Sequence, residues 1–202
     1  MAIFLMNERI FLDCLRFQCD LQIFTIMKKY ATIILLLIFH AMEAYSAQEI
    51  TLEFIEKWKN AKAYTLKIAD AMPDSVYSFK PTEGEMSFGE QLKHLADNLL
   101  WLHGDFILPS IKSQSTELRA LVKNAKTKSE IRDALVKSFD LVIAALAENN
   151  DADLRKEVTL FGKKKTRTQV CLLAIDHLAH HRGQCTVYLR LQGITPPGYL
   201  GY

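Results

Sequence analysis

Three times along this chain a Ser or Thr stands three residues ahead of a Glu or Gln, at the head of a regular pattern: "SFGE" at 87–90, "TKSE" at 127–130 and "TRTQ" at 166–169. Each has the form of a capping box, in which the hydroxyl accepts from the backbone N–H three residues on and the Glu or Gln reaches back to the N–H of the Ser or Thr. Such a box satisfies amides that a helix start leaves bare, so it fixes where a helix begins. Behind the first lie Phe88, Leu92, Leu95, Leu99, Leu102 and Phe106, and behind the second Ile131, Leu135, Phe139, Val142 and Leu146, both at helical spacing. The third opens a helix expected to reach Gln192 and stop at Gly193, a residue suited to the left-handed position after a helix, with Pro196 and Pro197 beyond. Ahead of them, Thr51 to Met72 carries Phe54, Trp58, Ala61, Thr65, Ile68 and Met72 on one face and ends at Pro73, which drives its predecessor out of helical dihedrals. Four helices of about twenty residues without a strong strand pattern predict an all-α bundle. "EVTLFGKKKT" could form a short hairpin around Gly162, and the link at about 107–126 could hold an irregular or short helical crossover.

The N-terminal quarter reads differently. From Met27 the chain runs "MKKYATIILLLIFHAMEAYSAQE". Lys28 and Lys29 supply a positive start, and Ala31 to Phe39 an apolar stretch short for a bilayer core of about 30 Å. Ala44 and Ser46 are small residues at the −3 and −1 positions of a cut, and cutting after Ala47 also fits. This is the pattern of a secretory signal peptide; uncleaved, it would be an anchor. No Cys follows the apolar run, so a lipoprotein anchor is not expected. The expected organisation is an extension at 1–26 ahead of the true start, a signal peptide at 27–47 and a mature domain at 48–202, placed outside the cytoplasm, periplasmic or secreted. Cys171 and Cys185 lie fourteen positions apart on one predicted helix, about 21 Å by helical rise, against the roughly 7 Å limit for a disulfide. They cannot pair within one chain and are expected as small core residues. A net charge of only +2, and a basic run "GKKKTR" without interleaved aromatics, give no nucleic-acid footprint.

The chemistry concentrates in "DHLAHHRGQ" at 176–184, inside the last helix. His177 and His181 are four apart, so they stack on one face about 6 Å apart, the bite with which two imidazoles share a metal ion. Val170, Ala174, Gln184 and Tyr188 continue that stripe, which should face the bundle interior. His180 is turned away and is expected at the rim. A third ligand must come from another helix, where His94 and His103 stand nine positions apart, on opposite sides of the second helix. His94 shares its side with Gln91, Asn98 and Trp101 and borders the apolar stripe, so it is the choice; His103 is expected to face away, with only a small packing role. Leu178 follows His177, so the Glu that serves as base in zincin-type helices is absent here. Glu90, Asp97 and His180 come within reach on a helical wheel as proton-transfer groups, and Asp176 and Gln184 as groups that could orient an imidazole, but each is equally readable as a cap, a surface charge or a supporting group.

The stretches "SFGEQLKHLADNLLWL", "DHLAHHRGQ" and "VYLRLQGITPPGY", with the lead-in "TLFGKKKTRTQ", resemble the DinB family of metalloenzyme-like proteins over nearly the whole of Glu49 to Tyr202. The resemblance implies a four-helix bundle of the DinB/YfiT-like type, a divalent metal (nickel or zinc) on one His of the second helix and two of the fourth, and a homodimer. Carried over by position, these ligands are His94, His177 and His181. Some relatives transfer low-molecular-weight thiols and others are thought to be hydrolases. Three imidazoles leave a coordination position open, the arrangement of a catalytic rather than a closed structural site. The expectation is a metal-dependent enzyme acting on a small molecule, with His180 a possible proton shuttle. Export removes the chain from cytosolic thiols and so favours hydrolysis over thiol transfer. The alternative is a non-catalytic extracytoplasmic bundle that binds metal for stability or sequestration.

Overall fold

All three capping boxes form. In each, the backbone N–H of the Ser or Thr donates to the Glu or Gln side chain (2.7 Å at Ser87, 3.0 Å at Thr127, 3.0 Å at Thr166) and the return bond is present. The computed structural model describes residues 16, 22–39 and 49–201, and the chain falls into two compact units, Met1–Ser46 and Ala47–Tyr202.

In the first unit, Gln22–Phe39 is an 18-residue helix of mean hydropathy 1.6, long and apolar enough by length and composition to cross a membrane. It begins five residues ahead of Met27. The expected cut after Ser46 or Ala47, and Cys14 and Cys19, lie outside the described residues.

The second unit contains α1 (Glu49–Ala71), α2 (Phe88–Leu102), α3 (Lys112–Asn124), α4 (Lys128–Ala147), a single turn α5 (Asp151–Leu154), a hairpin of β1 (Glu157–Leu160) and β2 (Lys163–Thr166), and α6 (Arg167–Leu191). The link expected to be irregular or briefly helical contains the thirteen-residue α3. Contacts between helix ends give the directions. Lys128, at the start of α4, donates to the carbonyls of Asp70 and Met72 at the end of α1. Just past the end of α4, Asp151 accepts from the N–H groups of Ile50 and Thr51 and from the Thr51 hydroxyl at the start of α1. Thus α1 and α4 are antiparallel, and a residue a hundred positions away caps α1, which has no box of its own. A Cβ on Gly89 would touch Ile131, which puts the starts of α2 and α4 together and makes them parallel. Gln91 near the start of α2 meets Tyr188 near the end of α6, so that pair is antiparallel. The order is up, down, down, up, with α3 returning the chain between the two parallel helices.

The predicted stripes meet in the centre: Trp58, Ile68, Met72, Phe88, Leu92, Leu135 and Phe139 are fully buried. Each such side chain contributes about 1.5–3 kcal/mol by leaving water. Cys171 and Cys185 are buried free thiols, as the spacing required. At its C-terminus α6 closes as expected: Gly193 has φ +70°, its N–H donates to Arg190 and that of Ile194 to Leu189, the paired bonds of a Schellman stop. α2 ends four residues earlier than its stripe suggests and continues as one π turn, His103–Ile107, before Pro109 begins a 3-10 turn.

Candidate metal centre

The 3.6-residue period of α6 puts His177 and His181 on one face, and the antiparallel packing of α2 brings His94 against them. One nitrogen from each of the three rings lies within 4.8 Å of the others. His94 Nε2 and His177 Nε2 are 3.2 Å apart. Ring centres are 4.9 Å apart for His94 and His177, and 4.5 Å for each pairing with His181. His181 is buried, while His94 and His177 are half-buried at the seam between the helices.

A chain of hydrogen bonds fixes the His181 ring. The Tyr188 hydroxyl donates to the Met86 carbonyl at 3.0 Å, which can only accept. The Tyr188 oxygen is therefore left to accept from Gln91 Nε2 at 3.3 Å. That turns Gln91 Oε1 toward His181 Nδ1, 2.6 Å away. The His181 proton thus sits on Nδ1, and Nε2 keeps its lone pair for a ligand role. A metal-bound histidine is commonly held in this way, its second nitrogen committed to a neighbouring acceptor.

The electrostatics favour uncharged rings. Burial, then the neighbouring His177, His94 and His180, push His181 down to about 4; burial, then His94 and His180, also lower His177. Three imidazole nitrogens carried on two helices fit a divalent ion. Metal–nitrogen bonds of about 2.1 Å place adjacent ligand nitrogens about 3.0–3.4 Å apart, the range in which the His94–His177 separation falls.

The other sequence candidates separate. His180 is exposed, its ring centre 4.9 Å from that of His181. Glu90 is consumed by the capping box at Ser87. Asp97 accepts two bonds from Arg119 of α3, at 2.8 and 3.2 Å. Asp176 is exposed; Gln184 lies near His181 and partly opposes its downward shift, but makes no hydrogen bond of good geometry, so the orienting role falls to Gln91, 2.6 Å from His181 Nδ1. Gln91 was legible only as a neighbour of His94 on the helical wheel; its partner lies ninety residues away. His103 does face away from the cluster, but into the core and not into a minor packing role. It is fully buried, edge-on to Trp58 at 5.0 Å, with Nδ1 on the Leu99 carbonyl at 2.8 Å.

Three imidazoles converging from two antiparallel helices make this a helical bundle with a group that could hold a metal ion. Residues 57–185 match the family model of the DinB superfamily, and the chain belongs to it. It is 24% identical to the Bacillus subtilis protein YjoA over 147 residues, 71% of this chain and 91% of that one. It is 31% identical to YrdA of the same organism over a shorter stretch, 72 residues, 43% of that protein. The crystal structure of YjoA, a DinB-like protein, superposes with a TM-score of 0.59 at 25% identity, covering 73% of this chain and 97% of that one. A DinB-like protein from Bacillus cereus shares the fold with a TM-score of 0.60 at 24% identity, over 72% and 94%.

Proposed function

We propose that this protein is an exported metal-dependent enzyme, a hydrolase of a small molecule, with His94, His177 and His181 holding one nickel or zinc ion. The observation that carries the reading is the cluster itself: three rings within ligand distance of one another, with the proton of His181 committed to Gln91. When bound, such an ion supplies Lewis acidity at a coordination position that the protein leaves open. The chain's own residues do the rest. The three imidazoles supply the ligand nitrogens, and Gln91, Tyr188 and the Met86 carbonyl prevent His181 from turning its proton inward. His180, exposed beside His181, serves as the group that relays a proton between the site and solvent; its exposure and its nearness to His181 support this role.

Three features support the wider reading. The apolar helix Gln22–Phe39 and the small residues after it suit export. A location outside the cytoplasm disfavours transfer of cytosolic thiols. α6 carries exposed Leu172, Val187 and Leu191 on its outer side, an apolar surface that suits a homodimer. The test is elemental analysis of the purified protein and of His94→Ala, followed by a panel of ester, amide and phosphoester substrates on metal-loaded protein and the triple His variant. Stoichiometric divalent metal lost in His94→Ala, with turnover confined to the loaded wild type, is expected. Metal with no turnover on any substrate would favour a binding protein, and no metal at all would end the proposal.

A further inference from the structure

The hairpin turn ahead of α6 breaks a local rule. β1 and β2 pair through Leu160 and Lys163, leaving Phe161 and Gly162 as a two-residue loop with φ of +49° and +73°. Positive φ at both positions marks the turn normally made by Asn-Gly, because Asn and Gly tolerate left-handed backbone. A bulky aromatic there is strained. Phe161 recovers nothing by burial, for it is 77% exposed. Among the described residues its ring meets the Trp101 ring, 6.0 Å away and tilted by 49°, and Trp101 in turn meets Phe106 edge-on at 5.5 Å. A local preference overridden for one ring contact and little burial points to a place where function imposes the residue.

The position of this aromatic pair suggests what it serves. Trp101 stands seven residues after His94, two turns along the same side of α2 and about 10 Å away. Leu173 stands one turn before His177 on α6 and is 41% exposed. Because the helices are antiparallel, both steps lead from the imidazoles in the same direction, toward the hairpin that precedes α6. One seam thus has a polar, metal-ligating end and an apolar, largely aromatic end.

We infer that Trp101, Phe161 and Leu173 form the apolar subsite of the three-His centre. The substrate class is a small molecule whose reacting polar group is joined by a spacer of about 10 Å to an aromatic or extended aliphatic group. The inference rests on the metal reading above, and its test keeps the two apart. The probes are acetohydroxamate, which offers only a metal-binding head, and 5-phenylpentanohydroxamate, which adds a phenyl group on a four-carbon spacer. Binding is measured by calorimetry on metal-loaded wild type, Phe161→Asn and Trp101→Leu. Phe161→Asn gives the turn a residue it prefers, so the hairpin stays folded, which a thermal melt verifies; metal content is checked in each protein.

The phenyl tail should tighten binding to the wild type by about tenfold or more. That advantage should fall below about threefold in both variants, while acetohydroxamate binds all three alike. Should Trp101→Leu unfold, Phe161→Asn decides alone. Equal affinity of both probes for the wild type, or an undiminished tail advantage in Phe161→Asn, would overturn the subsite while leaving the metal centre intact. A tail advantage that survives in chelated His94→Ala would show an apolar patch unconnected to the centre and would overturn it too. Failure of both probes to bind the metal-loaded wild type would defeat the metal reading, and the subsite with it.

Discussion

His103 makes the acid side of the stability curve a test of the core. The ring is fully buried. Its Nδ1–H is committed to the Leu99 carbonyl, and Nε2 has no hydrogen-bond partner. A proton on Nε2 would place an unpaired charge in the core, so burial pushes the group from 6.5 down to about 4, only partly opposed by the bond to Leu99. The folded value lies below the unfolded one, so the unfolded chain takes up the proton first. Above about pH 6.5 both states are neutral at this ring and its contribution is fully present. Between about 6.5 and 4 stability falls as pH falls, and below about 4 the loss levels off. At about 1.4 kcal/mol per pH unit this amounts to about 3 kcal/mol, a large part of the 5–15 kcal/mol typical of a domain. His103→Gln removes the titration and can keep an N–H for the Leu99 carbonyl. Urea unfolding of both proteins in chelator, from pH 4 to 8, isolates the term, because the other histidines are common to both. The wild type should lose about 3 kcal/mol more than the variant across that window. Parallel curves would refute the argument that this ring is held neutral by burial.

Four further outcomes follow from the same contacts. Gln91→Leu should weaken metal binding by about 10–100-fold in a chelator competition, because His181 Nδ1–H loses its acceptor and the tautomer is no longer fixed; Tyr188→Phe, which removes only the far end of the chain, should cost less. His94→Ala, His177→Ala and His181→Ala should each abolish the thermal stabilisation that saturating metal gives the wild type, about 3 kcal/mol at a hundredfold excess over Kd, and chelator should add little to these variants. His180→Ala should retain metal by elemental analysis while lowering turnover, and loss of metal there would mean that the ligand face has been misread. Gly104→Ala should destabilise by about 1–3 kcal/mol in a urea melt, since the new Cβ would lie 2.7 Å from Cβ and Oγ of Ser115 in α3; the double change with Ser115→Gly should recover part of the loss.

The sequence by itself determined the starts of α2, α4 and α6, the stop at Gly193 and the pairing of His177 with His181. Each depends on groups within about four residues, and bonds that close over so short a loop form with little help from the rest of the chain. It also separated His94 from His103, because nine residues on a helix are half a revolution whatever surrounds it. Tertiary structure decided how these pieces are used. The cap on α1 comes from Asp151, a hundred residues away, and α3 engages Asp97 through Arg119. The acceptor for His181 became Gln91, and not Gln184 on its own helix, because antiparallel packing of α2 carried that amide to the ring. His103, one turn after Leu99 on the apolar stripe, became a core residue because α1 sets Trp58 against its ring. Hydrogen bonds within a turn of helix are set by chain geometry. Those between helices depend on which faces the burial of Trp58, Phe88, Leu92 and Phe139 forces together, and that choice belongs to the whole domain.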